Sequence, residues 1–242
     1  MKAIILCGGE GTRLRPYTYT LPKTMLPVGG RPLLEYIIEH LKSSGITDIV
    51  LSVGYLREKI MNYFGDGKKF GVKIDYFLED EALSTAGAIY PHKSKLKGTF
   101  LVLMGDQITN IDFKRMAEVH KKSGAVATIA AKTIQTPIEY GVIEVSAKGQ
   151  ITGFKEKPIL ENLINTGIYI LEPEALEYIK PKEDFAKDVF PRILESGKKL
   201  QTYEMEKEYW LDIGRVSDYE RVRSLFPKVG VSKGIADLRL GE

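Results

Sequence analysis

Residues Leu6–Lys23 read L-C-G-G-E-G-T-R-L-R-P-Y-T-Y-T-L-P-K and begin at the end of the apolar run Ala3–Leu6. The apolar run predicts a buried strand. The three glycines after it let backbone N–H groups approach an anion or a base, because glycine has no Cβ. Two arginines and a lysine follow, and guanidinium and ammonium groups bind phosphate oxygens. The stretch is therefore typical of a strand that opens onto the phosphates of a nucleotide.

Two better-known glycine motifs do not match this stretch. A dinucleotide fingerprint needs G-x-G-x-x-G, and here Gly9-Glu10-Gly11 is followed by Thr12-Arg13-Leu14, so the third glycine is missing. A Walker loop needs a lysine directly after its last glycine, and Gly11 is followed by threonine and arginine. The glycines alone also fit a purely structural turn, so the interpretation depends on what surrounds them.

The surrounding residues resemble one enzyme family. The runs that carry the resemblance are G-G-E-G-T-R-L-R-P at 8–16, L-P-K-T-M-L-P-V at 21–28 and P-L-L-E-Y at 32–36. They are similar to the signature of nucleotidyltransferases that make nucleotide sugars from a sugar 1-phosphate and a nucleoside triphosphate, closest to members that act as mannose-1-phosphate guanylyltransferases. The resemblance covers Met1 to Phe226. It implies a single Rossmann-like α/β/α domain in three layers around a mixed, mostly parallel sheet, the nucleotide-diphospho-sugar transferase fold.

The order of apolar runs also favours an α/β fold, because strand and helix patterns alternate in the first half of the chain. Strands are predicted at Lys2–Cys7, Asp48–Ser52, Lys73–Leu78, Phe100–Met104, Ala125–Lys132, Gly141–Val145, Asn165–Leu171 and Leu200–Met205. Helices are predicted from Pro32 to Gly45, at Leu56–Phe64 and Phe113–Ser123, from Pro173, and at Phe185–Glu195. A hairpin turn at Ala147–Gln150 adds antiparallel pairing in the second half.

Composition argues against several classes of protein. Hydrophobic residues make up 43% and charged residues 28% of the 242, and a net charge of +3 is too small to indicate nucleic acid as a partner. The lone cysteine, Cys7, cannot form an internal disulfide, and three scattered histidines do not make a zinc site. No apolar run reaches the ~18 residues of a membrane span, and the chain begins as a strand without a signal region. We therefore expect a cytoplasmic enzyme in which Cys7 is a structural thiol.

The pattern of elements fades after Phe226. Residues 1–226 are predicted to form one nucleotidyltransferase domain without a linker or an internal repeat, followed by a C-terminal tail at 227–242. Related enzymes often carry a C-terminal repeat domain, and this tail is too short for one. We expect any homo-oligomer to use the catalytic domain itself.

Two aspartates are candidates for a magnesium site. Asp106 follows the strand Phe100–Met104 at its carboxyl end, where open α/β sheets bind ligands, although a surface turn would also explain it. Asp212 lies between apolar residues in Y-W-L-D-I-G, and a buried carboxylate needs a cation. Mg²⁺ prefers such oxygen ligands. In the family the matching aspartates hold the catalytic magnesium, which implies Asp106 and Asp212 as its ligands. Gln107 and Arg215 depart from the hydrophobic and small residues common at their places, which leaves the fine specificity open.

Residues 76–89, Y-F-L-E-D-E-A-L-S-T-A-G-A-I, resemble the family's base-reading segment, usually E or Q and then P-L-G-T-A-G-A-L. The resemblance makes Glu79 the base reader. Guanine offers adjacent N1–H and N2–H donors that suit a carboxylate, whereas uracil and thymine suit an amide, so Glu79 favours guanine. The acidic run 79–81 also fits a solvated loop. Ser84 stands where glycine is usual, and Ala82 where proline is usual.

Three later segments resemble the family's sugar-phosphate site, namely E-Y-G-V-I at 139–143, G-F-K-E-K-P at 153–158 and N-T-G-I-Y at 165–169. The resemblance implies that the sugar phosphate is bound by Tyr140, Gly141, Glu156, Lys157, Asn165 and Thr166. Glu156 can accept two sugar hydroxyls and Lys157 can hold a phosphate. Taken alone, this pair would be an exposed ion pair worth roughly 0–1 kcal/mol.

Together the motifs predict that a sugar 1-phosphate oxygen attacks the α-phosphorus of a nucleoside triphosphate, which yields a nucleotide sugar and pyrophosphate. The candidate catalytic residues are Arg13, Lys23, Asp106 and Asp212. The candidate nucleotide contacts are Leu6, Gly8, Gly9, Gly11, Thr12, Arg13, Glu79, Ser84 and Thr85. GTP with mannose 1-phosphate is favoured over dTTP or UTP with glucose 1-phosphate. The rival from another class is an inactive regulatory subunit on the same fold.

Overall fold

The computed structural model of the chain describes residues 1–226, and the predicted tail at 227–242 lies outside the described residues. The strands in this part are β1 (Lys2–Cys7), β2 (Pro27–Val28), β3 (Arg31–Pro32), β4 (Asp48–Val53), β5 (Lys73–Leu78), β6 (Phe100–Met104), β7 (Gln107–Thr109), β8 (Ala127–Pro137), β9 (Val142–Val145), β10 (Ile151–Lys155), β11 (Ile159–Leu171), β12 (Leu200–Glu204) and β13 (Trp210–Asp212). The α-helices are α1 (Leu33–Ser43), α2 (Arg57–Phe64), α3 (Phe113–Ser123), α4 (Phe190–Glu195) and α5 (Val216–Leu225).

Seven strands form one sheet in the order β12-β8-β11-β6-β1-β4-β5. β1 pairs in parallel with β4 and with β6, and the pairs β4–β5 and β12–β8 are also parallel. Only β11 runs against its neighbours, β6 and β8. The sheet is therefore mixed and mostly parallel, as the sequence predicts.

Helices cover both faces of this sheet. α1, α2 and α3 pack on one face, where Phe113 shares an apolar cluster with Ile5 of β1. The short helix Pro173–Tyr178 and α4 pack on the other face, where Phe185 shares a cluster with Ile4. Neighbouring residues of a strand point to opposite faces, so Ile4 and Ile5 belong to different clusters. This is the expected three-layer α/β/α architecture.

α1 and α3 begin and end where the sequence signals indicate. The apolar residues of α1 recur at helical spacing after Pro32, and the helix ends before Gly45, whose φ of 84° is left-handed. Asp112 caps α3, because its carboxylate accepts from the N–H groups of Lys114 and Arg115. Within residues 1–226, no helix combines the length and the apolar character needed to cross a membrane.

Two strands extend well beyond their predicted ends. β8 and β11 continue as a pair beyond the core, with Ile159 opposite Pro137, and we call residues 133–163, with the β9–β10 hairpin between them, the arm. Most side chains of the arm are exposed on both faces, so no burial pattern marks these strand extensions in the sequence. The predicted helix Phe185–Glu195 is also modified, because its first part, Phe185–Val189, is π-helical.

Candidate active site

The predicted site residues converge at one edge of the sheet. β1, β4 and β6 are parallel, so their carboxyl ends lie side by side and the loops after them meet. Gly105, after β6, donates its N–H to the carbonyl of Leu6 at 2.9 Å, and Tyr55, after β4, donates to the carbonyl of Gly8 at 3.2 Å. Backbone hydrogen bonds therefore hold the glycine loop against the turn that carries Asp106.

Lys23 and Asp106 form an ion pair at this edge. Lys23 Nζ donates to Asp106 Oδ2, and both side chains are largely shielded from water. Asp106 Oδ1 is buried and has no hydrogen-bond partner among residues 1–226. An unpaired buried oxygen destabilises the fold, so this atom is suited to a ligand that the described chain does not itself supply.

A two-stranded ribbon brings the second aspartate to the same corner. β13 pairs antiparallel with β7, which sets Asp212 opposite Gln107, and the residue after Asp212 donates its N–H to the carbonyl of Asp106 at 3.0 Å. Burial raises the pKa of Asp212 to about 6, the charge of Asp106 adds to the rise, and Lys23 and Arg13 oppose it. Two carboxylates thus lie close together in a partly buried corner, which favours a bound cation.

Arg13 approaches this corner from the glycine loop. It belongs to the one-turn 3₁₀-helix Thr12–Leu14, whose last residue is buried, whereas Thr12 and Arg13 themselves are exposed. A Cβ on Gly214 would lie 2.8 Å from Asp212 Oδ2 and 3.9 Å from Arg13 Nη1. Glycine is therefore needed for the close approach of the Asp212 carboxylate to the backbone. The exposed guanidinium is open to an anionic ligand.

A cavity of about 350 Å³ lies beside the glycine loop. The residues that line it come from this loop and from the loops after β4 and β5, and they include Gly8, Gly9, Gly54, Tyr55 and Glu79. The cavity opens at the same edge of the sheet as the carboxylate corner, because its walls are the loops that follow the parallel strands. It is placed where a nucleotide base would bind if the phosphates faced Arg13 and Lys23.

Glu79 is fixed in the wall of this cavity. Its side chain is buried, Ser52 Oγ donates to its Oε1 at 2.8 Å, and the backbone of Leu83 donates to its carboxylate. Burial raises the pKa of Glu79, and these two hydrogen bonds oppose the rise. A Cβ on Gly8 would lie 2.5 Å from Oε1, so only glycine leaves room for the carboxylate. Glu79 is therefore not part of a solvated acidic run, although Asp80 and Glu81 are exposed.

Ser84 and Thr85 lie differently from Glu79. Ser84 is exposed, and its φ of 63° is a left-handed conformation that costs a non-glycine residue roughly 1–2 kcal/mol. This agrees with the glycine that the family pattern has at this place. The Thr85 hydroxyl donates to Asp184 Oδ2 and accepts from the N–H of Phe185, both at 2.9 Å. Its side chain therefore ties this loop to the helix that begins at Phe185.

The predicted sugar-phosphate residues occupy β11 and the arm. Gly141 faces Glu156 across the arm, since a Cβ on Gly141 would lie 2.8 Å from Glu156 Oε2. Tyr140, Glu156 and Lys157 are exposed, and Lys157 has a left-handed φ of 42°. The exposed side chains are free to bind a sugar phosphate.

Asn165 and Thr166 stabilise a bulge in β11, where its pairing with β8 shifts register next to the carboxylate corner. Asn165 Oδ1 accepts from the N–H of Gly167 at 2.9 Å, and the buried Thr166 donates its hydroxyl to the carbonyl of Ala130 at 2.7 Å. Trp210 of β13 donates its indole N–H to the carbonyl of Thr166 at 3.2 Å. The two side chains stabilise the backbone of this bulge, and the hydrogen bond from Trp210 connects the bulge to β13, the strand that carries Asp212.

Comparison with known proteins identifies the family to which this arrangement belongs. A family model described as nucleotidyl transferase matches residues 2–228. The chain belongs to the nucleotidyl transferase family. The family membership predicted from the motifs at 8–36 is confirmed.

Relatives of this nucleotidyl transferase differ in the base and the sugar that their names give. A UTP–glucose-1-phosphate uridylyltransferase of Synechocystis sp. is 39% identical in an alignment 239 residues long that covers 90% of this chain and 61% of the relative. A mannose-1-phosphate guanyltransferase of Kluyveromyces lactis is 40% identical in an alignment 228 residues long that covers 90% of this chain and 63% of the relative. The chain therefore spans about three fifths of the length of these curated relatives.

A solved structure agrees with the fold of the nucleotidyl transferase. The crystal structure of a Bacillus anthracis protein, assigned provisionally as a glucose-1-phosphate thymidylyltransferase and solved with sucrose, is 28% identical and has a TM-score of 0.76. The match covers 98% of this chain and 99% of the other. The predicted nucleotide-diphospho-sugar transferase fold is therefore confirmed.

Two residues at the nucleotidyl transferase site are not identified by the sequence motifs. Ser52 supports the carboxylate of Glu79, and its signal is a lone polar residue inside the apolar strand β4. Arg57 lines the cavity and donates to Asp80 Oδ1 at 2.8 Å. No pattern distinguishes Arg57 from any other basic residue at the start of a helix.

Proposed function

We propose that this chain transfers a nucleotidyl group from a nucleoside triphosphate to a sugar 1-phosphate and releases pyrophosphate. The observation that carries the proposal is the corner where Lys23, Asp106 and Asp212 meet, with Asp106 Oδ1 buried and unpartnered. Arg13 and the glycine loop border the same corner, and the cavity with Glu79 adjoins it. We propose that residues 1–226 form the catalytic domain.

The two aspartates fit Mg²⁺. Carboxylate oxygens are the ligands that this ion prefers, and Asp106 Oδ1 lacks a protein partner within the described residues. Residues 1–226 contain no group of three or more His, Cys, Asp or Glu side chains that could hold a metal ion. Mg²⁺ commonly takes one or two carboxylates and completes its shell with substrate phosphate and water. When bound, the ion would neutralise negative charge on the reacting phosphates.

The chain's own groups act by positioning and by charge. The attacking phosphate oxygen is already ionised at neutral pH, so no side chain has to remove a proton from it. Lys23 Nζ supplies positive charge beside the α-phosphate, where the transition state gains negative charge. Arg13 and the N–H groups of Gly8–Gly11 hold the departing pyrophosphate. Glu156 and Lys157 on the arm bind the sugar phosphate.

We propose GTP and mannose 1-phosphate as the preferred pair. Glu79 is a fixed, buried acceptor in the base cavity, and a carboxylate suits the adjacent N1–H and N2–H donors of guanine. The Kluyveromyces lactis relative, a mannose-1-phosphate guanyltransferase, supports this choice.

The second candidate pair is UTP or dTTP with glucose 1-phosphate. The Synechocystis relative, a uridylyltransferase, supports it at nearly the same identity as the guanyltransferase. The raised pKa of Glu79 is also relevant, because a protonated carboxyl could donate to a pyrimidine carbonyl.

The test is pyrophosphate release by the purified chain with Mg²⁺, each of GTP, UTP and dTTP, and each of mannose 1-phosphate and glucose 1-phosphate. We expect the largest kcat/KM for GTP with mannose 1-phosphate. A larger value for UTP or dTTP would overturn the assignment of the base. Absence of turnover with every combination would overturn the enzymatic function in favour of the inactive subunit.

A further inference from the structure

The β9–β10 hairpin of the arm has an apolar face that is open to water. Opposed residues of an antiparallel pair share a face, and so do alternate residues of one strand. Ile143 and Val145 of β9 therefore lie on the same face as their partners in β10, Phe154 and Ile151. These four residues are 51–73% exposed, and we call their side chains the hairpin face.

A β-bulge makes the hairpin face continuous. Ile151 and Phe154 are three residues apart, so they would point to opposite faces of a regular strand. The register shifts between Ile151 and Gly153, and the extra residue brings Phe154 to the same side as Ile151. The backbone thus gathers all four apolar side chains on one side of the hairpin.

The opposite face of the hairpin carries the only charged residues of its two strands. Lys155 Nζ and Glu144 Oε1 form an ion pair at 2.7 Å. A Cβ on Gly153 would lie 3.0 Å from Glu144 Oε2, as expected for opposed residues on this face. The hairpin is therefore amphipathic, with an ionic face that suits water and an apolar face that suits a packed interface.

The described chain does not extend this hairpin into a larger sheet. Within residues 1–226, β9 and β10 form a two-stranded sheet of their own, and such a hairpin is marginally stable in water unless its apolar face is packed. The proposed reaction does not use the hairpin face, because sugar hydroxyls and phosphates need polar partners such as Glu156 and Lys157. The hairpin face is therefore suited to a separate, apolar partner.

A second copy of the hairpin face has the required size. Four side chains exposed to this extent leave about 400 Å² of apolar surface uncovered, an area typical of functional patches. Two such faces in contact would bury about 800 Å² of apolar surface, close to the apolar part, about 900–1,000 Å², of a protein interface of standard size.

A second copy also matches in charge and symmetry. A twofold axis places the same surface of both subunits in contact, which requires a surface that is complementary to itself. The hairpin face carries no charge that would repel its copy, and the charges of Glu144 and Lys155 are paired on the other side. Phe154, the most exposed of the four residues, supplies the large aromatic side chain that commonly anchors such a contact.

We infer that two copies of this chain form a homodimer in which their hairpin faces pack against each other across a twofold axis. The inference does not depend on the proposed reaction. Its test therefore measures association and not turnover.

The test compares the full chain with two matched variants. The molar mass of the wild type, Val145→Glu and Val142→Glu is measured by size-exclusion chromatography with light scattering over a dilution series. Val145 belongs to the hairpin face, whereas Val142 lies on the opposite face of the same strand, across from Lys155. We expect dimers of the wild type and of Val142→Glu. Val145→Glu should raise the dissociation constant at least about 100-fold, because its carboxylate loses water and meets its own copy.

Three controls separate a lost interface from a lost fold. Both valines are exposed, so the circular dichroism of each variant should match that of the wild type, and Phe154→Glu replaces Val145→Glu if that variant does not fold. The melting temperature of the wild type should rise with protein concentration, and that of Val145→Glu should not. Amides of residues 142–155 should exchange hydrogen more slowly in concentrated than in dilute wild type.

Three outcomes would overturn the inference. They are a wild type that is monomeric at every concentration, a dimer that Val145→Glu does not weaken, and equal weakening by Val145→Glu and Val142→Glu. The first would mean that the hairpin face is free or takes another partner, and the others that the dimer uses another surface. None of them bears on the proposed function, which pyrophosphate release tests separately.

Discussion

Replacing Asp212 with asparagine is expected to stabilise the metal-free protein while it removes activity. Burial and the nearby charge of Asp106 raise the pKa of Asp212 from 3.8 to about 6. The folded state therefore binds the proton more tightly than the unfolded state does, and ionisation of Asp212 weakens folding. This loss of folding stability is absent below the unfolded pKa of 3.8. It develops as the pH rises from this value to the folded pKa, and it is complete above about pH 6.

The size of the effect follows from the pKa. A rise of about 2 pKa units is equivalent to about 3 kcal/mol of unfolding free energy. Part of the Asp212 side chain contacts water, and screening reduces the penalty, so we expect Asp212→Asn to gain about 1–2 kcal/mol at pH 7.5. In a chain of this length, each kcal/mol raises the melting temperature by about 2–4 °C.

The assay is thermal melting from pH 4.5 to 8 without divalent ions. Asp212→Asn should melt above the wild type at pH 7.5, and the difference should shrink toward pH 4.5. Asp75→Asn is the matched control, because Asp75 is exposed and forms a surface ion pair with Lys73, a contact worth about 0–1 kcal/mol. Mg²⁺ should raise the melting temperature of the wild type more than that of Asp212→Asn. A variant that melts at or below the wild type at pH 7.5, or that keeps its turnover, would refute the reasoning.

Three further substitutions test individual parts of the site. Lys23→Met should reduce pyrophosphate release at least about 100-fold, because it removes charge stabilisation at the reacting phosphate. It should also lower the melting temperature, because Asp106 and Asp212 lose the positive charge beside them. Near-normal rates of pyrophosphate release would contradict the role of Lys23. Glu79→Gln should lower kcat/KM for GTP relative to UTP by about tenfold to 100-fold, the effect of one or two hydrogen bonds. If the ratio of kcat/KM for GTP to kcat/KM for UTP does not change, Glu79 is not the base reader. Ser84→Gly should gain about 0.5–1 kcal/mol in chemical unfolding, because glycine relieves the left-handed strain but is more flexible when unfolded, whereas Ser84→Ala should gain nothing.

Much of the fold can be predicted because apolar runs mark strands that are buried on both faces. β1 and β6 have the predicted bounds for this reason, and their parallel order places Gly8 and Asp106 at one edge of the sheet. The family motif then assigns chemistry to these positions. Local sequence is sufficient here because each strand is continuous and each motif follows it directly.

The rest depends on contacts between distant segments. No local pattern reveals that β7 pairs with β13. This pairing brings Asp212 to Asp106 and places Gln107 against Gly167 of β11. The Thr85 hydroxyl binds Asp184, almost a hundred residues away, so its motif position alone does not describe its role. The strand extensions in the arm are exposed on both faces and therefore lack a hydrophobic period.

The most direct test of the central claim is to identify the product. The purified chain is incubated with GTP, mannose 1-phosphate and Mg²⁺, and in parallel with EDTA in place of Mg²⁺, and each mixture is analysed by mass spectrometry for the nucleotide sugar and for pyrophosphate. We expect equal amounts of GDP-mannose and pyrophosphate with Mg²⁺, none with EDTA, and at most about a hundredth of the wild-type amount in the same time with Lys23→Met. Release of pyrophosphate without a nucleotide sugar, or equal product from Lys23→Met, would contradict the claim that this corner transfers a nucleotidyl group to a sugar phosphate.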